Sequence, residues 1–145
     1  MDKWNQEIIN KHPVLFRNAQ IDEDTGERRF SFECDKGWAT LLDVLCSYLT
    51  HRHDSLISSI EYNEKIGKDS EPLQKELDET DWPSVEQIKE KFGTLRFYTN
   101  SITDEQHAYV AFAETMSGHI CEVCGNSGVP RGGGWIRTLC DEHTK

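Results

Sequence analysis

Hydrophobic and polar positions alternate along the chain in short segments of two different periods. Residues 4–12 fit a short helix that ends at His12, because the residue before Pro13 is pushed out of the helical region. Residues 29–34 alternate with a period of two and predict a strand. A long helix over residues 38–60 follows. Its apolar positions near helical spacing are Leu41, Leu45, Tyr48, Leu49, Leu56, Ile57 and Ile60.

Residues 85–99 predict a second helix and a second strand. Apolar residues recur at i, i+3 and i+7 over residues 85–92, which predicts a helix that Gly93 ends as its C′ residue. Residues 94–99 then alternate as a strand, with Arg96 and Tyr98 on the face opposite to the apolar residues.

A last helix precedes the C-terminal segment. Thr103 and Gln106 have the spacing of a capping box, and Gly118 is placed to end the helix. The apolar residues along one of its sides are Tyr109, Phe112, Ala113 and Met116. The mixture of helices and strands predicts an α+β fold, with a body over residues 1–117.

Residues 61–82 interrupt this pattern. They carry eight acidic residues and three lysines with few apolar positions. The segment is predicted to be an acidic loop or linker, or an extension of the preceding helix with a solvated face.

The most specific chemical signal is a set of four residues in two close pairs. Cys121 and Cys124 are separated by two residues, as are Cys140 and His143, and 15 residues lie between the pairs. This spacing predicts a tetrahedral zinc site in a ribbon-like or knuckle-like hairpin over residues 118–145, packed on the body. Because four protein ligands fill the tetrahedron, the predicted role of the Zn²⁺ is structural. His119 is an alternative fourth ligand.

The other interpretation of the first cysteine pair is a redox motif. That motif is followed by a helix, whereas here glycines and a proline follow Cys124. Cys34 and Cys46, outside the zinc set, are interpreted as ordinary buried thiols, which agrees with a reducing compartment.

Charge and hydropathy limit the classes of partner. The formal net charge of the 145 residues is −10, while residues 118–145 hold three basic and three acidic residues, so the excess negative charge lies in the body. Duplex nucleic acid is therefore not expected as a partner. No signal peptide and no apolar run of membrane-spanning length is recognised, which predicts a cytoplasmic protein without membrane contact.

Two segments are candidates for ligand binding. Arg131, Trp135 and Arg137 surround three glycines inside the zinc loop, and such a loop can hold a phosphate while the indole stacks on a base. Arg96 and Tyr98 form a second basic and aromatic patch. The alternative interpretations are a mobile hairpin tip whose Trp135 covers the zinc site, and a solvated strand face.

Several motifs together resemble a known group of sequences. They are residues 89–98 (Lys-Glu-Lys-Phe-Gly-Thr-Leu-Arg-Phe-Tyr), 121–125 (Cys-Glu-Val-Cys-Gly), 133–143 (Gly-Gly-Trp-Ile-Arg-Thr-Leu-Cys-Asp-Glu-His) and 32–38 (Phe-Glu-Cys-Asp-Lys-Gly-Trp). The chain resembles a family of small uncharacterised zinc-binding proteins from tailed phages, prophages and bacteria. The resemblance implies a phage or mobile-element accessory protein, a class that often acts on host proteins or on nucleotide signals.

Three functional hypotheses follow. The first is a non-enzymatic protein that binds and inhibits a host protein, with a role in counter-defence. The second is binding of a small phosphorylated or nucleotide ligand through the loop at 131–137. The third is an enzyme, such as a metal-dependent nuclease, for which His107, Glu114 and His119 are available but no nucleophile or open metal motif is present.

Overall fold

The computed structural model describes residues 3–144; Met1, Asp2 and Lys145, at the ends of the predicted body and zinc unit, lie outside the described residues. The α-helices within that range are α1 (Lys3–Lys11), α2 (Ala39–Ile66), α3 (Glu71–Glu79) and α4 (Asp104–Ser117). A 3-10 turn at Lys36–Trp38 leads into α2, and a second one lies at Asp141–His143.

The strands form three small sheets. Their bounds are β1 (Gln20–Ile21), β2 (Arg28–Arg29), β3 (Phe32–Glu33), β4 (Ser84–Lys91), β5 (Thr94–Asn100), β6 (Val129–Arg131) and β7 (Arg137–Leu139). The main sheet has the order β3-β4-β5, with β3 parallel to β4 and β5 antiparallel to it, while β1-β2 and β6-β7 are antiparallel pairs. The predicted α+β fold is confirmed.

The core lies between the inner face of the main sheet and the helices. Ile88, Leu95 and Phe97 point inwards from β4 and β5, whereas Arg96 and Tyr98 lie on the outer face, as their alternation predicts. Trp38 at the start of α2 is fully buried. Trp38 is the last residue of the 3-10 turn, so its burial packs that turn against the core directly before α2.

The predicted helix over 85–92 is wrong, since these residues form β4. The register between β4 and β5 shifts between Val85 and Gln87, which marks a bulge at Glu86. The extra residue brings Val85 and Ile88 to the same buried face although they are three residues apart, a spacing that resembles a helix. Gly93, predicted as a helix end, lies in the two-residue turn between the strands.

The helix predictions around this sheet are mostly correct. The helix predicted over 4–12 is α1, and the capping box at Thr103 and Gln106 is formed, with both hydrogen bonds near 3 Å. The long helix extends to Ile66 instead of residue 60 and ends at Gly67, whose φ is +70°. Residues 61–66 continue α2, as the predicted helix extension, and α3 covers residues 71–79, so a loop or linker is wrong for most of the segment 61–82.

The remaining sequence expectations are met only in part. The strand predicted over 29–34 is divided into β2 and β3, which pair with different strands. Ala113 on the apolar side of α4 is buried, but Phe112 is 68% exposed. Among residues 3–144, no helix combines the length and apolarity that a membrane crossing requires.

Candidate metal centre

The first cysteine pair lies on a tight turn directly after α4. The Cys121 carbonyl accepts the Gly125 N–H at 2.9 Å, and Gly125 has a φ of +85°, which a side chain would disfavour. The Cys121 N–H donates to the Asn126 carbonyl at 2.7 Å. These local hydrogen bonds turn the Cys121 and Cys124 side chains towards the same point.

The second pair is returned to this turn by the β6-β7 hairpin. β7 passes beside the turn, where the Glu122 N–H donates to the Thr138 carbonyl at 3.0 Å. Cys140 follows β7 directly, and the 3-10 turn Asp141–His143 then places His143 next to it. The hairpin therefore closes a loop of 15 residues between the pairs, as the spacing predicts.

The four side chains form one cluster. The ligand atoms of Cys121, Cys124, Cys140 and His143 all lie within 4.8 Å of one another. Sγ of Cys121 is 3.7 Å from Nδ1 of His143, and Sγ of Cys124 is 3.7 Å from Sγ of Cys140. A tetrahedral ion with ligand bonds of about 2.0–2.3 Å places its ligand atoms about 3.3–3.8 Å apart, so the cluster could hold a metal ion. The alternative ligand His119 is exposed and not in the cluster.

The environment of Cys121 favours the thiolate that a metal requires. Burial alone would raise its pKa, but the backbone N–H groups of Cys140, Cys124 and Val123 lower the pKa to about 6. Burial raises the pKa of the Cys34 thiol to about 12, and it raises the pKa of Cys46 further. These two thiols are protonated at neutral pH, as ordinary thiols are expected to be.

The segment that carries the four cluster residues, from residue 118 onwards, is called the metal unit. It contacts the body at Gly37 and Trp38. The Trp38 indole N–H donates to the Ile120 carbonyl at 2.9 Å, and the Gly37 N–H donates to the Glu122 carbonyl at 2.7 Å. A Cβ on Gly37 would lie 2.2 Å from the Cys121 carbonyl oxygen. The start of α2 and the first ligand turn are therefore in direct backbone contact.

A second contact joins the metal unit to the turn between β4 and β5. The Thr138 hydroxyl, fully buried, donates to the Gly93 carbonyl at 2.6 Å. Gly93 has a φ of +83°, and a Cβ there would lie 3.0 Å from Cγ2 of Ile136. The loop before β7 consequently packs against the tip of the β4-β5 hairpin.

A buried carboxylate connects these contacts. The Glu122 side chain is 6% exposed; its Oε2 accepts the Asp35 N–H at 3.0 Å, and its Oε1 is 3.5 Å from Nε of Arg137. Arg137 also donates to Asp35 at 2.9 Å. Burial raises the pKa of Glu122, although the Asp35 N–H and the Arg137 charge oppose the effect. The main interaction of Arg137 is therefore internal to the protein.

Replacing Arg137 with Met tests this role. The change leaves the buried Glu122 without its counter-charge, and we expect the free energy of unfolding to fall by about 1–2 kcal/mol. Adding Glu122→Gln should recover part of the loss, because the amide oxygen still accepts the Asp35 N–H. Denaturant unfolding measures both. Arg131→Met is the control with a smaller expected loss, since its partner Asp141 is 97% exposed. Equal losses for the two arginines would contradict the internal role.

The candidate ligand-binding residues do not form one site. Arg131 donates to Asp141 at 2.7 Å and to the Leu139 carbonyl at 3.0 Å, so both loop arginines are engaged within the protein. Trp135 is 77% exposed and does not cover the metal cluster. Arg96 and Tyr98 lie on the outer face of the main sheet, where the Lys89 ammonium is 5.8 Å from the tyrosine ring.

The residues available for a second metal are not brought together. Among residues 3–144, Cys121, Cys124, Cys140 and His143 form the one group of three or more His, Cys, Asp or Glu side chains close enough to share an ion. Glu114 instead accepts the Phe97 N–H at 2.9 Å, and His107 and His119 are exposed.

Sequence reasoning missed the residues that fix the metal unit to the body. Asp35 and Glu122 are 87 residues apart along the chain, and Gly93 and Thr138 are 45 apart. The residue types do not indicate which positions so far apart along the chain come into contact. The sequence feature most closely related to these contacts is Gly37 followed by Trp38, directly after a predicted strand.

Comparison of the chain with protein-family models, with curated proteins and with solved structures found no match.

Proposed function

We propose that the cluster holds one structural zinc ion and that the protein is a non-enzymatic binding protein that attaches to another protein and inhibits it. In the phage setting that the sequence resemblance implies, the partner is a host protein. Three thiolates and one imidazole suit zinc and leave no position for water or substrate, which supports a structural role and no zinc catalysis.

The observation that carries this proposal is a pair of exposed aromatic residues beside the metal unit. Phe92 is 69% exposed and Trp135 is 77% exposed. Their sequence neighbours lie close together, since a Cβ on Gly93 would be 3.0 Å from Cγ2 of Ile136. We therefore treat Phe92 and Trp135 as parts of one surface, which we call the tip surface. Large exposed aromatic residues are the typical anchors of protein interfaces.

Backbone strain at Phe92 supports a role outside folding. Phe92 and Gly93 are the two central residues of the β4-β5 turn, with φ values of +53° and +83°. Such turns favour Asn-Gly, and a bulky residue in the left-handed region costs about 1–2 kcal/mol. An exposed and strained Phe92 stabilises the fold less than asparagine would, which is expected for a residue that serves binding.

The competing functions have less support. A phosphate at the loop would have to displace Asp141 from Arg131 and Asp35 from Arg137. A net charge of −10 also disfavours nucleic acid as the partner. A protein surface with pockets for two aromatic rings fits the tip surface better.

Native mass spectrometry of protein purified without chelator tests the metal. We expect one zinc ion per chain, and Co²⁺-substituted protein should show the absorption of a tetrahedral thiolate site. A chain without metal, or with a different metal after growth in zinc-containing medium, would contradict the zinc assignment.

Substitutions at the tip surface test the binding function. Tagged wild-type protein is used to isolate a partner from the host, and the Kd is then measured with the purified partner. We expect Trp135→Ala and Phe92→Asn each to raise Kd at least tenfold, which corresponds to about 1.4 kcal/mol. Tyr62→Ala is the control, because Tyr62 is 61% exposed on α2, outside the tip surface.

Phe92→Asn should also stabilise the fold. Relief of the left-handed strain is expected to add about 1 kcal/mol and to raise the Tm by about 2–4 °C in thermal unfolding. A lower Tm would mean that Phe92 serves folding, and unchanged partner affinity in both tip variants would refute the tip surface.

A further inference from the structure

A second exposed apolar surface lies between two helices. α2 and α4 pack side by side and leave a groove of about 310 Å³. We call it the α2–α4 groove. Its lining includes Leu41, Val44, Tyr48, Tyr109 and Phe112. None of these residues belongs to the metal unit or to the tip surface.

The groove is apolar although solvent reaches it. Val44 is 47% exposed, Tyr48 is 57% exposed and Phe112 is 68% exposed. Isolated exposed apolar residues are common, but several that converge on one concave surface mark an interaction site. The spacing of residues 41, 44 and 48 follows one face of α2, so the groove is parallel to a helix.

One wall of the groove is ordered by its own contacts. The Tyr48 and Tyr109 rings have centroids 5.3 Å apart, and the Tyr109 hydroxyl donates to the Glu105 carboxylate. The hydrogen bond raises the pKa of Tyr109, which keeps the phenol protonated. The groove is therefore formed before any partner binds, which reduces the entropy lost on binding.

The charged side chains of the two helix segments that line the groove are acidic. No Lys or Arg occurs in residues 39–51 or anywhere in α4. Asp104 and Glu105 are exposed in the first turn of α4, where Glu105 also accepts the Tyr109 hydroxyl. The other two acids of these segments are engaged, Asp43 with Lys11 and His12, and Glu114 with the Phe97 N–H. A partner with positive charge beside its apolar face would be complementary.

We infer that the α2–α4 groove binds an amphipathic, basic α-helix of a protein partner. Apolar side chains at i, i+3 or i+4, and i+7 of that helix would enter the groove, and its Lys or Arg residues would lie near Asp104 and Glu105. A second copy of the chain is a poorer occupant, since each copy carries a net charge of −10. The inference goes beyond the proposed function, because it assigns a different surface.

Fluorescence anisotropy with a labelled Leu/Lys peptide of about 18 residues, patterned as an amphipathic helix, tests the inference. A Leu/Glu peptide with the same apolar pattern is the charge control. We expect the Leu/Lys peptide to bind wild-type protein at least tenfold more tightly than the Leu/Glu peptide. Phe112→Ala should weaken Leu/Lys binding at least tenfold, while Tyr62→Ala, at the far end of α2, should leave it unchanged.

Three results would overturn the inference. Equal binding by Phe112→Ala and wild type would show that the peptide responds to charge alone. Equal binding of the two peptides would remove the charge argument. A wild-type dimer in analytical ultracentrifugation that Phe112→Ala converts to a monomer would identify a second copy as the occupant. Trp135→Ala should bind the peptide like the wild type, so failure of the tip surface and failure of the groove are separable.

Discussion

Cys140→Ser is expected to abolish tight metal binding and to unfold the C-terminal unit. Cys140 is buried, and its sulfur lies 3.1 Å from Nδ1 of His143 and 3.7 Å from Sγ of Cys124. Within residues 118–144 the unit has a short β6-β7 pair, a 3-10 turn and few buried apolar residues, so we expect metal binding to supply much of its folding free energy. That contribution is on the order of 10 kcal/mol in zinc peptides.

Hydrogen exchange and metal analysis measure this effect together. We expect amide protection to be lost over residues 121–143 and the metal content to fall from one ion per chain to near zero, while β4 and β5 keep their protection. A chelator should have the same effect on the wild type. Cys34→Ala is the matched control, because its thiol is outside the cluster. A Cys140→Ser protein that retains one ion at unchanged affinity would refute the four-ligand assignment.

Gly37→Ala is expected to destabilise the protein without removing a metal ligand. The added Cβ would lie 2.2 Å from the Cys121 carbonyl oxygen and 2.3 Å from that of Glu122. Both obstacles are backbone atoms of the ligand turn, so relief requires the metal unit to move away from α2. The move would weaken the Gly37 and Trp38 hydrogen bonds to residues 120 and 122. We expect a loss of about 3 kcal/mol or more, with Tm lower by roughly 6–12 °C.

Metal content separates this effect from loss of the site. Gly37→Ala protein should still bind one ion per chain, because its four ligands are intact. Gly133→Ala is the matched control, since a Cβ there has no heavy atom within 4 Å. A Tm of Gly37→Ala within about 2 °C of the wild type would contradict the close packing of the unit on α2.

Both variants also bear on the proposed function. Trp135 belongs to the loop before β7; the Thr138 hydrogen bond to Gly93 holds β7 against the β4-β5 turn, and β7 leads directly into Cys140. Cys140→Ser should therefore weaken partner binding through the tip surface, whereas peptide binding in the α2–α4 groove should change little. The metal would thus stabilise the loop that carries Trp135 in the tip surface, and it would not be needed for the α2–α4 groove.

Structural features that depend on residues close together in the sequence were predicted well. The capping box of α4 joins residues three apart, and the tight turn of each metal-ligand pair involves four consecutive residues. Such interactions are formed between neighbours along the chain, so their signals survive without knowledge of the fold. The one helix that was wrong, over 85–92, depends on a bulge that can be recognised only when β4 is paired with β5.

The sequence by itself determined the α+β character, the long helix and the group of four residues that could hold a metal ion. Only the tertiary structure decided that Arg137 and Glu122 form an internal pair, that the β4-β5 turn approaches the loop before β7, and that Phe112 faces a groove. These contacts join residues that are distant along the chain. Their positions follow from sheet register, helix packing and the close approach at Gly37, which local residue patterns do not encode.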